Sequence, residues 1–432
     1  MLSQLKSGHR PQILQHRFLE IYQSRRISSY LVHTHSTRSI AMCEDATDAT
    51  QQAVHNSYDA AHAGRIDYEK LLDRIKVPDR GGHKPIVILD GGLGTTLEDE
   101  YQVAFSSSKT PTWSSHLLIA SPETLSKVHE SFAEAGADII LTATYQAAFD
   151  GFLSTRRGHG DAFVKGRGSY YSQEEAEAIM RSAVPLARSA FGSRDSLVAL
   201  SLGAYGATMI PSTEYTGRYP PEMGDIWALS TWHARRIIAF EGHQKTWDNI
   251  DLVAFETLPR VDEIQAVRRA TQLLSRQKPF WISCVFPDDD EKLPDGSDVI
   301  DVVRAMLGEA PFGTDQPIYA PLPMGIGINC TKVSRLRSLI SKFENAVDSM
   351  QMPLPHLMMY PDGANESVYD ATSQKWIPQK DAATFPEWDE EVFDILQEVQ
   401  QRDKWAGIIV GGCCKTRPQN IAQLKRRIDQ KQ

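Results

Sequence analysis

The segment Ile408-Ile409-Val410-Gly411-Gly412-Cys413-Cys414 has the pattern of a short apolar strand that ends in two glycines and two cysteines. The segment Gly325-Ile326-Gly327-Ile328-Asn329-Cys330 repeats this pattern with a single cysteine at its end. Adjacent side chains on a regular strand point to opposite faces. Cys413 and Cys414 can therefore bind the same metal ion only if the strand has already ended. We expect the two glycines to permit that bend through backbone angles that other residues avoid.

Similar apolar runs occur along most of the chain, and amphipathic stretches separate them. The predicted strands are 85–90, 138–144, 197–203, 251–256, 279–286, 325–330, 356–360 and 407–411. The predicted helices include 224–244, 261–276, 297–308, 331–345, 389–402 and 418–429. Strands that alternate with helices indicate a parallel sheet covered by helices. Eight such units predict an α/β fold, a (β/α)8 TIM barrel, with an open doubly wound sheet as the alternative.

Local signals support this division into elements. Ser121 is a candidate N-cap with Pro122 at the first helical position, and Gly136 is expected to end the same helix. Ser172 and Glu175 have the spacing of a capping box. Two connections, 147–172 and 287–323, are long enough to be functional lids or mobile insertions.

The chain divides at about residue 83. Residues 1–42 carry six basic residues against one acid, Glu20, which is typical of a mitochondrial transit peptide. The alternative is a disordered or mis-assigned extension. We therefore predict a leader or disordered extension over 1–83 and a barrel over 84–432. A cytoplasmic location is expected, with the mitochondrion as the alternative.

Composition excludes several function classes. Hydrophobic residues make up 41% of the chain, enough for a large buried core, and the formal charge of −9 argues against a nucleic-acid-binding surface. The longest uncharged stretch, 196–213, is interrupted by serines, glycines and a proline, so we predict no membrane span. Five cysteines are an odd, low count that fits a reducing compartment.

Active sites of such barrels lie at the carboxyl ends of the strands. The first predicted strand ends in Asp90-Gly91-Gly92-Leu93-Gly94-Thr95, which lacks the signature of a phosphate-binding loop. Asp90 is interpreted either as a turn cap or as a ligand contact. Glu256 follows an apolar strand, and it needs either a salt bridge or a substrate ammonium to be buried there.

The cysteines at the strand ends allow two interpretations. They are either buried or redox-active thiols, or the three ligands of an open zinc site with Cys330, Cys413 and Cys414. The strand-end position of Cys330 favours the metal. Zinc held by three thiolates is suited to binding a fourth thiol as a thiolate, which makes sulfur the nucleophile. Cys284 lies in mid-strand and is expected to belong to the core.

Several motifs together resemble the homocysteine S-methyltransferases. They occur in order between about residues 84 and 428: Asp90–Thr95, Trp113-Ser114, Ala135–Asp138, Thr142-Ala143-Thr144-Tyr145-Gln146, Glu214-Tyr215-Thr216-Gly217, Phe255-Glu256-Thr257, Gly327-Ile328-Asn329-Cys330 and Gly411-Gly412-Cys413-Cys414. The combination of the two cysteine motifs is highly specific, whereas the glycine loop alone is weak.

The resemblance implies a barrel with Zn2+ bound by the three cysteines, and homocysteine thiolate as a further zinc ligand. It implies substrate contacts from Asp90, Gly91, Thr142 and Glu256, with Glu256 holding the amino group. The methyl donors of the family are S-methylmethionine or S-adenosylmethionine, or betaine in a more distant branch. The expected partners are therefore small molecules. Neither a nucleic acid nor a membrane is expected, and the oligomeric state stays open.

Aromatic side chains could receive the cationic donor by cation–π contact, and the candidates are Trp113, Tyr145 and Tyr205. Two features depart from the family pattern: Arg417 replaces a smaller residue, and the connection 287–323 is long. The alternatives to homocysteine methylation are methylation of selenocysteine or another thiol, and a non-enzymatic barrel that binds zinc structurally or senses metals or thiols.

Overall fold

The structure, a computed structural model, describes residues 84, 86–105, 110, 112–157, 169–192, 196–308, 320–364, 367–370, 375–377 and 387–431. The predicted extension 1–83 lies outside these ranges, as do 158–168 and 309–319 within the two long connections. Among the described residues, no helix combines the length and the apolar composition that a membrane span requires.

Eight parallel strands form a ring in the described part of the chain. Their bounds are β1 Ile86–Ile88, β2 Ile139–Leu141, β3 Leu197–Gly203, β4 Leu252–Leu258, β5 Phe280–Cys284, β6 Gly325–Asn329, β7 His356–Tyr360 and β10 Ile408–Val410. The order is β1-β10-β7-β6-β5-β4-β3-β2, and a parallel bridge between Leu89 and Ile139 joins the first strand to the last. This confirms the (β/α)8 barrel and all eight predicted strand positions.

Helices follow the strands and cover the outside of the ring. Their bounds are α1 Leu93–Asp99, α2 Leu117–Ala120, α3 Pro122–Glu134, α4 Phe149–Ser154, α5 Gln173–Ser189, α6 Ile226–Glu241, α7 Gln244–Asp248, α8 Val261–Gln272, α9 Val299–Leu307, α10 Leu336–Ser349, α11 Trp388–Arg402 and α12 Pro418–Lys431. The predicted helix 224–244 ends at Glu241, and the separate short helix α7 follows it. A two-stranded antiparallel hairpin, β8 Val368–Asp370 with β9 Lys375–Ile377, was not predicted.

The strands are buried on both faces, as a helix-covered sheet requires. Every residue of β3 and β4 is buried. Ile86 and Ile88 belong to the large core shared with the helices, whereas the alternate residues Val87 and Leu89 join a smaller cluster inside the ring. The period of two along each strand therefore separates the outer core from the barrel interior.

Two predicted local signals are confirmed at helix ends. The Ser172 side chain accepts a hydrogen bond from the Glu175 backbone, and the Glu175 carboxylate accepts one from the Ser172 backbone N–H, which completes a capping box. Gly136, which follows the C-cap residue Ala135 of α3, has φ of 100°, a left-handed conformation that favours glycine.

Candidate active site at the carboxyl ends of the strands

The three cysteines of interest meet at one end of the barrel. Cys330 directly follows β6, whereas Cys413 and Cys414 follow β10, whose last residue is Val410. The three Sγ atoms lie within 4.8 Å of one another. Cys330 and Cys413 are joined by a disulfide, and the Sγ atom of Cys414 lies 4.0 Å from that of Cys330. The strand does end before the cysteine pair, as the sequence pattern requires.

The donor set fits a thiolate-bound metal once the disulfide is reduced. Zinc–sulfur bonds of about 2.3 Å in tetrahedral geometry place two sulfur atoms about 3.8 Å apart. The separation of 4.0 Å between Cys330 and Cys414 is close to that value. Burial, followed by the nearby negative charge of Asp362, raises the pKa of the Cys414 thiol to about 12. This thiol does not ionise at neutral pH without a nearby cation. A metal ion would supply the positive charge that stabilises the Cys414 thiolate.

Gly411 and Gly412 are needed for space. Neither glycine has a positive φ, so the expectation about special backbone angles is corrected. A Cβ atom on Gly412 would lie 2.2 Å from Thr416 Oγ1, and one on Gly411 would lie 2.7 Å from the Asp90 carbonyl oxygen. The loop after β10 is hydrogen-bonded to the end of β1 through Gly412 N and Asp90 O at 3.0 Å. Only a residue without a side chain permits this approach.

Backbone strain is instead carried by residues with side chains. Trp113, Thr257 and Cys330 have φ of 45°, 58° and 47°, and all three line the same cavity. A left-handed conformation is costly for a β-branched residue such as Thr257. The Asn329 side chain accepts a hydrogen bond from Thr257 N at 2.9 Å and donates one to Thr257 Oγ1 at 2.7 Å. Asn329 therefore holds a strained turn next to Cys330, a feature that is concentrated at functional sites.

Three buried carboxylates surround this end of the barrel. Asp90, Glu214 and Glu256 are 1%, 6% and 5% exposed, and each has one oxygen without a hydrogen-bond partner among the described residues. Burial raises the pKa of all three, to about 7 for Glu214 and about 8 for Glu256. The negative charge of Glu256 contributes further to the raised pKa of Asp90.

The charged side chains in the described lining of the cavity are all acidic. Its described lining contains three acidic side chains, Glu98, Glu214 and Glu256, and no lysine, arginine or histidine. Glu256 hydrogen-bonds Ser201 at 3.1 Å and has no ion-pair partner among the described residues, which removes the salt-bridge interpretation. An unpaired carboxylate in low-dielectric surroundings favours a cationic ligand.

Most of the predicted site residues lie together. Gly91, Thr142 and Glu256 line the cavity with the three cysteines. Asp90 is not part of the lining: one carboxylate oxygen accepts a hydrogen bond from Leu141 N at 2.9 Å, and the carboxylate is near enough to Glu256 to be affected by its charge. Thr142 Oγ1 accepts a hydrogen bond from Ser201 N at 3.0 Å.

Among the aromatic candidates, Trp113 and Tyr145 line the cavity. Tyr205 lies outside the lining and packs against Tyr219 and Trp232, with ring centroids 5.1 and 5.2 Å away. Cys284 is fully buried in the core, as predicted.

Sequence reasoning did not single out Glu214 as a site residue. It occurs in one of the motifs quoted above, but an acidic residue in a loop gives no local sign that it will be buried.

The departure at Arg417 also has a structural explanation. Lys415 Nζ and Arg417 Nη2 bind the carboxylate of Asp99 on α1 at 2.9 and 3.3 Å, which ties the loop after β10 to the first helix.

The fold and this site define a barrel enzyme with a cysteine cluster at the carboxyl ends of its strands. The family model for homocysteine S-methyltransferase matches residues 87–428, and the chain belongs to that family. The reaction of the family transfers a methyl group to homocysteine and yields methionine.

Relatives and solved structures agree with this assignment. The chain is 32% identical over 356 residues to homocysteine S-methyltransferase 1 of Arabidopsis thaliana, a match that covers 78% of this chain and 92% of the relative. It resembles the homocysteine methyltransferase MmuM of Escherichia coli in its oxidized form, with a TM-score of 0.57 and 27% identity over 79% of this chain and 96% of that chain. The metallated form of MmuM gives a TM-score of 0.56 with the same identity and the same coverage of both chains.

Proposed function

We propose that this protein transfers a methyl group from a sulfonium donor, S-methylmethionine or S-adenosylmethionine, to the sulfur of L-homocysteine. Cys330, Cys413 and Cys414 would hold a zinc ion in the reduced protein. When bound, the zinc supplies the positive charge that keeps the homocysteine sulfur as a thiolate. The observation that carries the proposal is the pairing of a thiolate cluster with a cavity whose described lining is acidic and contains no basic side chain.

The acidic side chains suit the amino group of homocysteine. Glu256 lines the cavity with the cysteines and has an unpartnered oxygen, so it is proposed to bind the substrate ammonium. Asp90, which lies outside the lining, would act on the bound ammonium through its charge interaction with Glu256. Gly91 and Thr142 are proposed to shape the substrate subsite. Ammonium binding would supply the missing hydrogen bond of Glu256 and offset the cost of burying its carboxylate.

The chemistry requires positioning more than proton transfer. The carbon–sulfur bond of the donor breaks and its electron pair stays on the donor sulfur, while a homocysteine sulfur lone pair forms the new bond to the methyl carbon. A positive donor and a negative acceptor become two neutral sulfur atoms. Such charge loss is favoured in a water-poor cavity, and alignment of the reacting atoms supplies most of the rate enhancement.

The aromatic lining fits the cationic donor. Trp113 and Tyr145 line the cavity, and faces of such rings attract onium groups. Burial raises the pKa of Tyr145 well above its ordinary value, so its side chain stays neutral during turnover.

The test is methionine formation from L-homocysteine and S-methylmethionine by protein that has been reduced and then either loaded with zinc or treated with a chelator. Turnover that chelation abolishes and zinc restores is expected. A parallel arm with selenocysteine or another thiol identifies the acceptor. Failure with every sulfonium donor and thiol, together with a fully occupied zinc coordination shell in the absence of thiol, would favour a structural or sensing role.

A further inference from the structure

Glu214 is a buried carboxylate to which the roles above give no task. It lies between β3 and α6, is 6% exposed and lines the cavity. Its Oε2 atom has no hydrogen-bond partner among the described residues. Burying a carboxylate in this way is costly unless a ligand completes its contacts.

The position of Glu214 is set by a tightly bonded turn. Thr213 N donates to Gly206 O at 2.9 Å, and Gly217 N donates to Thr213 O at 2.8 Å. A Cβ atom on Gly206 would lie 2.8 Å from Glu214 N, so the two segments are in close contact. Arg260 Nη1 donates to Gly217 O at 3.0 Å and anchors the end of the turn. The backbone position of Glu214 is therefore set by the fold.

Glu214 and Glu256 come from separate parts of the barrel. Glu256 lies on β4 and is hydrogen-bonded to Ser201 of β3, whereas Glu214 lies on the turn beyond β3. No basic side chain occurs in the described lining to neutralise either of them. The reaction proposed above brings two amino acids into one cavity, and each carries one α-ammonium group. Glu98, the third acid of the lining, hydrogen-bonds Trp113 and lies near the positive charge of Lys415. The two ammonium groups therefore match the two lining carboxylates that keep an unpartnered oxygen, Glu214 and Glu256.

We propose that Glu214 binds the α-ammonium group of the methyl donor and so selects donors that are amino acids. This inference rests on the proposed function. The ammonium is a better partner than the sulfonium, because the sulfonium charge decreases in the transition state and is lost in the product. A carboxylate that stabilised the sulfonium would bind the ground state more strongly than the transition state and slow the reaction. The ammonium charge is unchanged by the reaction, so its binding lowers the KM for the donor and leaves kcat alone.

The test compares two donors in the zinc-loaded enzyme and its Glu214→Gln variant. S-Methylmethionine carries an α-ammonium, whereas dimethylsulfonioacetate is a sulfonium carboxylate without one. We expect Glu214→Gln to raise the KM for S-methylmethionine at least about tenfold, as loss of a charged hydrogen bond does. The KM for dimethylsulfonioacetate, the KM for homocysteine and the kcat should each change less than about twofold. Glu222→Gln, the same change at an exposed position, is the matched control.

Two further variants make the outcomes distinct. Glu256→Gln should raise the KM for homocysteine, and Glu214→Asp, which keeps the charge on a shorter side chain, should give an intermediate KM for S-methylmethionine. Equal losses with both donors, or a raised KM for homocysteine in Glu214→Gln, would overturn the assignment. If Glu214→Gln does not fold, Glu214→Asp alone decides between the two donors. Absence of methionine formation by the wild-type enzyme would instead overturn the proposed function, and this inference with it.

Discussion

Buried charges in the wall of the barrel differ from those at its carboxyl end. Arg268 on α8 is 2% exposed, and its guanidinium donates to the carbonyl oxygens of Ala305 and Gly308 at 2.9 and 2.8 Å. Glu344 on α10 accepts hydrogen bonds from Arg402 and Trp405. Both charged groups therefore have the partners that burial requires.

The carboxylates at the carboxyl end of the barrel lack such partners. Asp90, Glu214 and Glu256 are as deeply buried, yet each keeps one unpartnered oxygen and none has a basic partner among the described residues. The wall uses buried charge to hold helices and loops together. The carboxyl end leaves buried charge incomplete, which costs stability and prepares the site for a cation. Among these buried carboxylates, those without a full set of partners lie next to the cysteine cluster.

The largest effect is expected when a cysteine is removed from the proposed zinc site at the carboxyl end of the barrel. Cys413→Ser should lose zinc and reduce methionine formation by more than about a hundredfold. Loss of a metal ligand should have a larger effect than loss of a residue that only orients a metal ligand. Metal analysis and turnover measure this, with circular dichroism to show that the barrel still folds. Cys284→Ala, which removes a core thiol outside the cluster, should keep the metal. Retained turnover in Cys413→Ser would contradict the mechanism.

The second largest effect concerns the wall of the barrel, where the buried charged groups have hydrogen-bond partners. Arg268→Met should lower the free energy of unfolding by about 3 kcal/mol, because several buried carbonyl groups lose their donors at once. Urea denaturation measures the change, and Arg268→Lys should recover part of it. Turnover per folded molecule should stay near that of the wild type at low temperature. A stable Arg268→Met variant with impaired turnover would show that the two regions are not distinct.

A smaller effect concerns pH. Burial raises the pKa of Glu214 to about 7 in the metal-free protein, so the ionised fraction of this carboxylate falls about tenfold between pH 8 and pH 6. The dissociation constant of S-methylmethionine should rise by up to about tenfold over that range, and Glu214→Gln should remove most of the dependence. Burial raises the pKa of the neighbouring Tyr145 and Tyr215 well above 10, so neither titrates there. Glu256, whose pKa burial raises to about 8, also titrates in this range, but it is present in both proteins and cannot account for a difference between them. Calorimetric titration of the reduced, metal-free protein with S-methylmethionine supplies the measurement, and equal pH profiles in the wild type and Glu214→Gln would count against the role of Glu214.

The smallest effect is on the stability of metal-free, substrate-free protein. The pKa of Glu256 is raised from 4.5 to about 8, so the folded state holds a proton that the unfolded chain has already lost between these values. The stability of the wild type should therefore fall as the pH rises from about 4.5 to 8. Glu256→Gln should melt about 2–4 °C above the wild type at pH 8.5, with a smaller difference at pH 5.5. A variant that melts lower at pH 8.5 would show that Glu256 has a partner in the free protein.

Local features of the sequence were enough to predict the barrel. A buried strand needs a short apolar run, and a helix needs an apolar stripe and end signals such as Ser172 with Glu175 or Gly136. These patterns lie within a few residues, so all eight strands could be located. The hairpin β8–β9 was missed, since it forms an isolated pair outside the repeating pattern of strand and helix. The three cysteines could be placed at strand ends for the same local reason, and the resemblance to a family named their chemistry.

The tertiary structure alone decided how the strand ends come together. Cys330 and Cys413 are separated by 83 positions and become bonded only because β6 and β10 both flank β7 in the closed ring. Burial of Glu214, the missing partners of Glu256 and the exclusion of Tyr205 from the cavity depend in the same way on which loops meet above the barrel. The sequence by itself determined which elements form and which residues end them. The depth and the charge balance of the site arise from contacts between distant segments, and no local pattern encodes them.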